Sequence, residues 1–321
     1  MNDDKILVSI VCNAYNHEKY IKDALEGFVM QKTSFSFEVL IHDDASTDNT
    51  ASIIREYEAK YPDIIKPIYE TENQYSKHDG SIKKIQSSRI KGKYVALCEG
   101  DDYWTDPQKL QKQFDFLETH PEYSMCATSA DWVNVMSGKT LNKGTTLTDK
   151  DFSTEELIEK RVRPFATAAY FMIKDVYLGR PQFGFPIGDY PMLIYASLLG
   201  KVRMLPDNTC VYRYCAEGSW TVKTDNEETR ANISDQMIIG LKNLNEYTGG
   251  KYEVSIKKRI KSQKFTSALL RHDFKTLKSD ELIELFNKNN IFRKFSFYLH
   301  CKFPKSYRWL MGIMKINGHS N

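Results

Sequence analysis

The stretch KGKYVALCEGDDYW (residues 91–104) contains the feature that decides the fold. Its apolar run YVALC is typical of a strand buried on both faces of a parallel sheet. The acids Glu99, Asp101 and Asp102 follow this run directly, with Gly100 among them. Because open parallel sheets bind ligands beyond the carboxyl ends of their strands, this position favours a ligand site.

The same alternation of strand, polar loop and helix runs through the N-terminal part of the chain. Apolar runs predict strands at residues 6–12, 37–41, 64–69 and 94–98, and helical spacing predicts helices at residues 20–29, 50–61 and 81–90. A further helix follows, with Pro107 at an early helical position, and then the strand YSMCAT. This order predicts an α/β fold with right-handed crossovers, and only helical patterning follows from about Asn226.

Three polar clusters come after three of these strands. They are Asn13/Tyr15/Asn16, Asp43/Asp44/Asp48 and Glu99/Asp101/Asp102. Several carboxylates in one crevice raise each other's pKa unless a cation compensates, and hard oxygen ligands suit Mg²⁺ or Mn²⁺ shared with phosphate. In the alternative interpretation Asp43, Asp48 and Asp106 cap helices, and Asp101 and Asp102 fill a turn. The grouping at three strand ends favours a metal and a phosphorylated ligand.

The bulk composition limits the functional classes. The 321 residues carry 45 Lys and Arg against 42 Asp and Glu, a net charge of +3, but residues 251–321 alone carry about +11. The six cysteines show no CxxC spacing, which predicts reduced, buried thiols and a cytosolic protein. The acidic N-terminus is unlike a signal peptide, and no apolar stretch reaches the length of a membrane-spanning helix.

Several catalytic motifs do not occur in the sequence. There is no GxGxxG after a strand, no GxxxxGK[ST] and no HExxH, and the seven histidines are scattered. Dinucleotide binding, a P-loop, zinc hydrolysis and a Ser/His/Asp triad therefore have no support.

Three segments of the N-terminal part of the chain resemble those of a known family. VSIVCNAYNHEKYIKDALEGFVMQ, DDASTDNT and KGKYVALCEGDDYWTDPQKLQKQ resemble glycosyltransferase family 2, in order and with matching spacing over about residues 6–120, and more weakly to about 220. The resemblance implies a GT-A-type, Rossmann-like, mainly parallel sheet flanked by helices, with a C-terminal helical appendage. It predicts a catalytic domain over residues 1–226 and a basic helical region over 227–321.

The resemblance also implies roles for individual residues. Tyr15 would stack near the nucleotide base, and Asp44 would hydrogen-bond the base, commonly uracil. Asp101 would lie near the ribose and also join the metal site, where Asp102 would hold Mn²⁺ or Mg²⁺ on the diphosphate. The remaining residues matched to nucleotide-sugar binding are Asn16, Asp43 and Arg213.

The chain departs from the family pattern at several positions. Glu99 replaces the usual first aspartate, and Cys215 stands where histidine is often found. Lys83 or Lys84 could reach the donor or lie on an exposed helix face. By match, Asp189 would be the general base, although an aspartate at a helix start could equally be an N-cap.

The resemblance implies an inverting transfer of a sugar, from a UDP-sugar donor to an acceptor hydroxyl. A glycan or lipid-linked glycan of a bacterial surface polysaccharide would be the acceptor. The alternatives are a catalytically idle sugar-binding relative and a sugar nucleotidyltransferase. No motif for nucleic-acid binding is present.

The C-terminal stretch IFRKFSFYLHCKFPKSYRWLMGIMKI (residues 291–316) interleaves aromatics with Arg and Lys. Such a pattern fits a helix lying on an anionic membrane, and it fits equally a helical appendage that covers the core or forms a homodimer. The first interpretation predicts a cytoplasmic protein that is peripheral on the inner face of the membrane.

Overall fold

The computed structural model describes residues 5–140, 149–160, 165–217, 219–224 and 226–303. Within these residues, nine strands form one mixed sheet in the order β3-β2-β1-β4-β8-β6-β9-β5, and β7 pairs with β9. The strands are β1 (Ile6–Ala14), β2 (Ser36–Asp43), β3 (Ile65–Tyr69), β4 (Tyr94–Leu97), β5 (Tyr103–Trp104), β6 (Tyr123–Asn134), β7 (Lys150–Phe152), β8 (Tyr170–Ile173) and β9 (Lys201–Tyr214).

Contacts divide the described residues into two compact units, one within 1–181 and 189–222 and the other within 182–188 and 223–303. Helices up to residue 223 are α1 (Ile21–Val29), α2 (Thr50–Lys60), α3 (Ser81–Arg89), α4 (Lys109–Thr119), α5 (Thr154–Glu159), α6 (Lys174–Gly179), α7 (Asp189–Leu199) and α8 (Trp220–Lys223). The second unit has α9 (Glu227–Tyr247), α10 (Glu253–Leu270), α11 (Phe274–Leu277), α12 (Ile283–Asn287) and α13 (Ile291–Lys302). The predicted domain boundary after residue 226 stays a prediction.

The first four strands run parallel, as the apolar runs predict. β1 pairs with β2 on one side and with β4 on the other, so the loops after these three strands emerge at one edge of the sheet. The chain then adds strands of opposite direction, because β8 is antiparallel to both β4 and β6. The predicted α/β sheet flanked by helices is confirmed.

A buried polar contact joins the start of β4 to β1. Ser9 is fully buried in β1 and donates from Oγ to Glu38 Oε1 at 2.7 Å, which satisfies its hydroxyl. The Gly92 N–H donates to Ser9 Oγ at 2.9 Å. A Cβ at Gly92 would lie 2.5 Å from the Ser9 nitrogen, so only glycine allows the chain to enter β4 this close to β1.

One predicted helix start is displaced, and another helix starts where predicted but without the expected cap. Pro107 lies before α4, which begins at Lys109, because Asp106 accepts from the Gln108 N–H at 2.8 Å and forms a turn first. Helix α2 begins at Thr50 as predicted, and its N-cap position is occupied by Asn49 without a side-chain cap. Asp48, a candidate cap in the sequence, instead accepts from the Thr50 N–H at 2.9 Å.

Every element of regular secondary structure in the described part of the second unit is a helix. Helix α9 ends where Gly249 and Gly250 adopt φ of 57° and 78°, and the Gly250 N–H donates to Asn245 O. A small apolar core forms from α10, α11, α12 and α13, with Phe265, Leu277 and Phe286 among its buried members. No helix in the described part of the chain combines the length and the apolarity that crossing a bilayer requires.

Candidate active site

The loops that follow β1, β2 and β4 lie side by side at one edge of the sheet. The Asp44 N–H donates to Ala14 O at 2.9 Å, and the Gly100 N–H donates to Asn13 O at 2.9 Å. The three predicted polar clusters are therefore brought to one edge. Parallel pairing of β1 with both neighbours is the physical reason, since it aligns their carboxyl ends.

The acidic loop, defined as residues 99–102, is pressed against α1. A Cβ at Gly100 would lie 2.8 Å from His17 Nδ1 and 3.0 Å from Ile21 Cδ1. The glycine thus lets the loop approach the helix closely. Asp102, two residues on, has only 2% of its surface exposed. Glu99 and Asp101 are half-buried beside it.

The carboxyl of Asp102 is held in an environment that opposes its ionisation. Burial raises its pKa well above the ordinary value, and the neighbouring charges of Asp101 and Glu99 raise it further. A hydrogen bond from the Arg213 N–H to Asp102 Oδ1, 2.8 Å long, acts in the opposite direction. A bound cation would relieve the same crowding.

Glu99 shares this environment. Burial and the charge of Asp101 raise the pKa of Glu99 to about 7, although hydrogen bonds from Asn13 oppose the shift. The longer acid therefore lies within the electrostatic field of the cluster rather than outside it. Sequence comparison alone left its role open.

The residues present fit a divalent cation that takes part of its coordination from phosphate. Asp101 and Asp102 supply carboxylate oxygens, the ligand type that Mg²⁺ and Mn²⁺ prefer. Among the described residues, these acids do not form a cage of three converging protein ligands. Mg²⁺ commonly binds through one or two carboxylates plus substrate phosphates, and the acidic loop matches that mode.

Arg213, at the end of β9, braces the acidic loop. Besides its backbone bond to Asp102, its guanidinium donates from Nη1 to Asp101 O at 3.0 Å and pairs through Nη2 with Asp23. The same group lies over the Tyr103 ring, 4.4 Å from its centroid. Arg213 was predicted as a donor-binding residue, and the structure gives it these protein partners.

The residues predicted to bind the nucleotide lie in the loops after β1 and β2. Tyr15 is 39% exposed, so its ring is accessible to a ligand. The Asn16 Oδ1 accepts from the Thr47 N–H at 2.8 Å and thereby ties the two loops together. Burial raises the pKa of Asp43, while a hydrogen bond from Ser46 opposes the shift.

Asp44 is 3% exposed and holds a third loop segment in place. Its carboxylate accepts from the Gln74 N–H at 2.6 Å and from the Tyr75 N–H at 3.0 Å. Because each oxygen keeps a second lone pair, further acceptance from a ligand N–H remains chemically available.

Four other residues considered in the sequence make different contacts. Asp189 is the first residue of α7, and its Oδ1 accepts from the Tyr190 N–H at 2.7 Å. Lys83 is half-buried and donates to Arg180 O at 2.9 Å, whereas Lys84 is exposed. Cys215 follows β9 with φ of 61°, a left-handed conformation that is uncommon outside glycine.

Sequence reasoning missed several polar residues near this edge. Gln86 is fully buried and donates from Nε2 to Leu40 O at 3.1 Å. The Nε of Arg180 is buried without a hydrogen-bond partner among the described residues, and burial lowers the pKa of its guanidinium. The charge of Glu99 acts on Tyr177, which in turn acts on Arg180. No sequence signal marked these residues, because none belongs to a recognisable motif.

Comparison with protein families and sequences gives consistent matches. The model described as Glycosyl transferase family 2 matches residues 9–179. An uncharacterized protein of Mycobacterium tuberculosis is 38% identical over 213 residues, which are 66% of this chain and 60% of that protein. The Escherichia coli protein UDP-Glc:alpha-D-GlcNAc-diphosphoundecaprenol beta-1,3-glucosyltransferase WfaP is 34% identical over 113 residues, 35% of this chain and 42% of that protein. The chain thus spans about 60% of the length of the mycobacterial relative.

Two solved structures share the fold. Staphylococcus aureus TarS 1–349 in complex with UDP-GlcNAc superposes with a TM-score of 0.60 at 16% identity, covering 92% of this chain and 79% of that chain. The mannosyltransferase PcManGT from Pyrobaculum calidifontis, in complex with GDP-Man and Mn²⁺, gives 0.55 at 16% identity, covering 96% and 84%. The predicted GT-A-type fold is confirmed by these similarities.

Proposed function

Because the chain belongs to glycosyl transferase family 2, we propose that it transfers a sugar from a UDP-sugar to an acceptor hydroxyl with inversion at the anomeric carbon. The observation that carries the proposal is the acidic loop at the carboxyl edge of β4. Its buried Asp102 and half-buried Glu99 both have raised pKa values beside the loops that carry Tyr15 and Asp44.

The donor would lie across the three loops. The exposed ring of Tyr15 can stack on a base, and Asp44 can accept a hydrogen bond from a base N–H. Asp43 and Asn16, in the same loops, would also contact the donor. A complex of TarS with UDP-GlcNAc, on the same fold, supports a nucleotide sugar as donor, and the name of the Escherichia coli relative supports UDP.

Asp102, with Asp101, would hold Mn²⁺ or Mg²⁺ on the donor diphosphate, and Asp101 would also lie near the ribose. When bound, such a cation stabilises the charge that develops on the leaving diphosphate. Arg213 keeps the loop in one conformation through Asp102, Asp101 and Asp23, so the carboxylates meet the ligand without rearranging. The Mn²⁺ in the PcManGT complex supports this proposal.

Asp189 would take the proton of the acceptor hydroxyl as the oxygen attacks, so no covalent enzyme intermediate is needed. The transition state at the anomeric carbon, between the attacking acceptor oxygen and the leaving diphosphate, would resemble an oxocarbenium ion. A lipid-linked glycan of a bacterial surface polysaccharide would be the acceptor, as the name of the Escherichia coli relative suggests, and the protein would act at the inner face of the membrane.

A donor panel tests the proposal. The purified chain is incubated with a series of UDP-sugars and GDP-sugars, one at a time. Release of nucleoside diphosphate and thermal stabilisation are measured for each donor, once with Mn²⁺ and once with a chelator. We expect one UDP-sugar to raise Tm and to release UDP only with the metal. Stabilisation without release would indicate a catalytically idle binder, and pyrophosphate release from a nucleoside triphosphate with a sugar phosphate would indicate a nucleotidyltransferase.

A further inference from the structure

Three helices of the second unit bring together two histidines and a glutamate. Glu227 is the first residue of α9, His272 follows the end of α10, and His300 lies in α13. One ligand atom from each lies within 4.8 Å of those of the other two. We propose that Glu227, His272 and His300 bind one divalent transition-metal ion, with Zn²⁺ as the ion that fits best.

The distances suit a shared ion better than direct hydrogen bonds. Glu227 Oε2 lies 3.4 Å from His272 Nε2, and Glu227 Oε1 lies 3.6 Å from His300 Nε2. Both exceed the usual N–H···O range, which ends near 3.2 Å. Two ligand atoms bound tetrahedrally to Zn²⁺ with bonds of about 2.0–2.2 Å lie about 3.3–3.6 Å apart.

The surroundings favour a ligand at this point. The His272 and His300 rings face each other at 4.7 Å between centroids, and His300 is 8% exposed. His272 Nδ1 is buried without a hydrogen-bond partner among the described residues, and its Nε2 faces the Glu227 carboxylate. The carboxylate of Glu227 is favoured where it stands, in the first turn of the 21-residue helix α9.

The ligand set selects the class of metal. Two imidazole nitrogens with one carboxylate suit Zn²⁺, and the fourth position is left for water, whereas Mg²⁺ and Mn²⁺ prefer oxygen ligands throughout. The site is therefore chemically distinct from Asp101 and Asp102. Because its ligands come from α9, the end of α10 and α13, a bound ion would fasten these three helices together.

Metal content tests the site directly. The parent protein is the 321-residue chain with Asp102→Asn and without a polyhistidine tag. Asp102→Asn weakens the acidic loop as a competing metal site. The parent is stripped with chelator, reloaded with Zn²⁺ and desalted. We expect about one Zn²⁺ per chain by elemental analysis, and at least about a fivefold loss in Glu227→Gln and in His272→Gln. His120→Gln, an exposed histidine of the first unit, is the matched control and should keep the ion.

Two further measurements separate metal binding from a simple ion pair. Loading the parent chain with Co²⁺ should give the visible d–d absorption of a nitrogen-ligated, four-coordinate ion, and this readout needs no variant to fold. Zn²⁺ should raise Tm by about 5 °C in the parent and leave Glu227→Gln unchanged. Absence of the cobalt spectrum, or equal Zn²⁺ content in parent and variants, would show a metal-free contact and overturn the proposal.

Discussion

Asp102 is the residue on which the proposed chemistry depends most. Replacing it with asparagine removes the charge that would hold a cation but keeps an oxygen to accept from the Arg213 N–H. We expect Asp102→Asn to lose metal-dependent donor turnover by at least about 100-fold with little change in Tm. Steady-state assays in Mn²⁺ check this, with Asp115→Asn on the exposed side of α4 as control. A turnover equal to that of the control would refute the metal assignment.

Asp189 should behave differently, because a general base acts on the acceptor and not on the donor. Asp189→Asn keeps the oxygen that accepts from the Tyr190 N–H, so the start of α7 should persist. We expect donor affinity within about twofold of wild type and a loss of transfer of about 10²–10⁴-fold. Titration calorimetry with the donor and a transfer assay measure the two effects. Equal losses of binding and transfer would instead point to a structural N-cap.

Lys109 offers a test of stability against pH. It is fully buried, with Nζ bonded to Gln113 and lying 4.5 Å from the centroid of the Trp104 ring, and burial lowers its pKa from the ordinary 10.5. The unfolded chain therefore binds the proton more tightly, so this lysine makes stability rise as pH rises towards 10.5. We expect Lys109→Met to weaken that rise. Urea unfolding of both proteins at pH 7 and 9.5 measures it, and parallel pH profiles would contradict it.

Individual side chains divide into those that a motif marks and those that only contacts reveal. Asp101 and Asp102 were predictable because they follow an apolar strand directly. The pairing of Arg213 with Asp23 was not, since 190 residues separate the two and neither carries a local signal for the other. Their predicted roles in donor and metal binding remain predictions.

At the scale of elements, helix α1 packs closely against β5. A Cβ on Gly27 would lie 2.9 Å from the Trp104 nitrogen and 3.0 Å from its carbonyl oxygen, and backbone atoms cannot move aside cheaply. Gly27→Ala should therefore destabilise the protein by about 1–3 kcal/mol, although alanine is the better helix former. Denaturant unfolding measures the change, and exposed Lys22→Ala on the same helix is the control. If Gly27→Ala instead stabilised the protein, helix α1 would be able to move away from β5, and the predicted clash with the Trp104 backbone would be wrong.

Element types were predictable where the apolar period was regular, and element ends were less so. The strands β1 to β4 and the helices α1 to α3 form where the patterns predict them. Helix α3 does so although its buried residue is the polar Gln86. The start of α4 shifted to Lys109, since the Asp106 side chain competes for backbone N–H groups before the helix begins. The antiparallel strand β8 was not predicted, because pairing between distant segments leaves no local trace.

At the scale of the whole molecule, α13 exposes an aromatic face. Ile291, Phe292 and Phe295 are 75%, 81% and 59% exposed, while Cys301 packs into the core of the second unit. The predicted membrane segment continues beyond the described residues, which end at residue 303. We propose that this face meets the anionic membrane, with Arg293 and Lys294 beside it.

Co-sedimentation with anionic liposomes tests this contact. The 321-residue chain should sediment, and Phe292→Ser with Phe295→Ser should reduce the bound fraction by at least about threefold, because apolar insertion is lost. Val254→Ser, equally exposed on α10, is the control. Substitution is preferable to truncation after residue 290, which would also remove Cys301 from the core. Unchanged sedimentation together with a concentration-dependent mass shift would favour the homodimer.

The sequence by itself determined the α/β alternation, the edge at which the polar loops gather and the family. These follow from local periodicity and short motifs, which neighbouring residues encode together. Only the tertiary structure decided that Arg213 braces Asp102, that Asp44 holds the loop at Gln74 and Tyr75, and that Glu227 meets His272 and His300. The physical reason is that such contacts join residues tens to more than a hundred positions apart, and packing of whole elements, not local propensity, sets their distances.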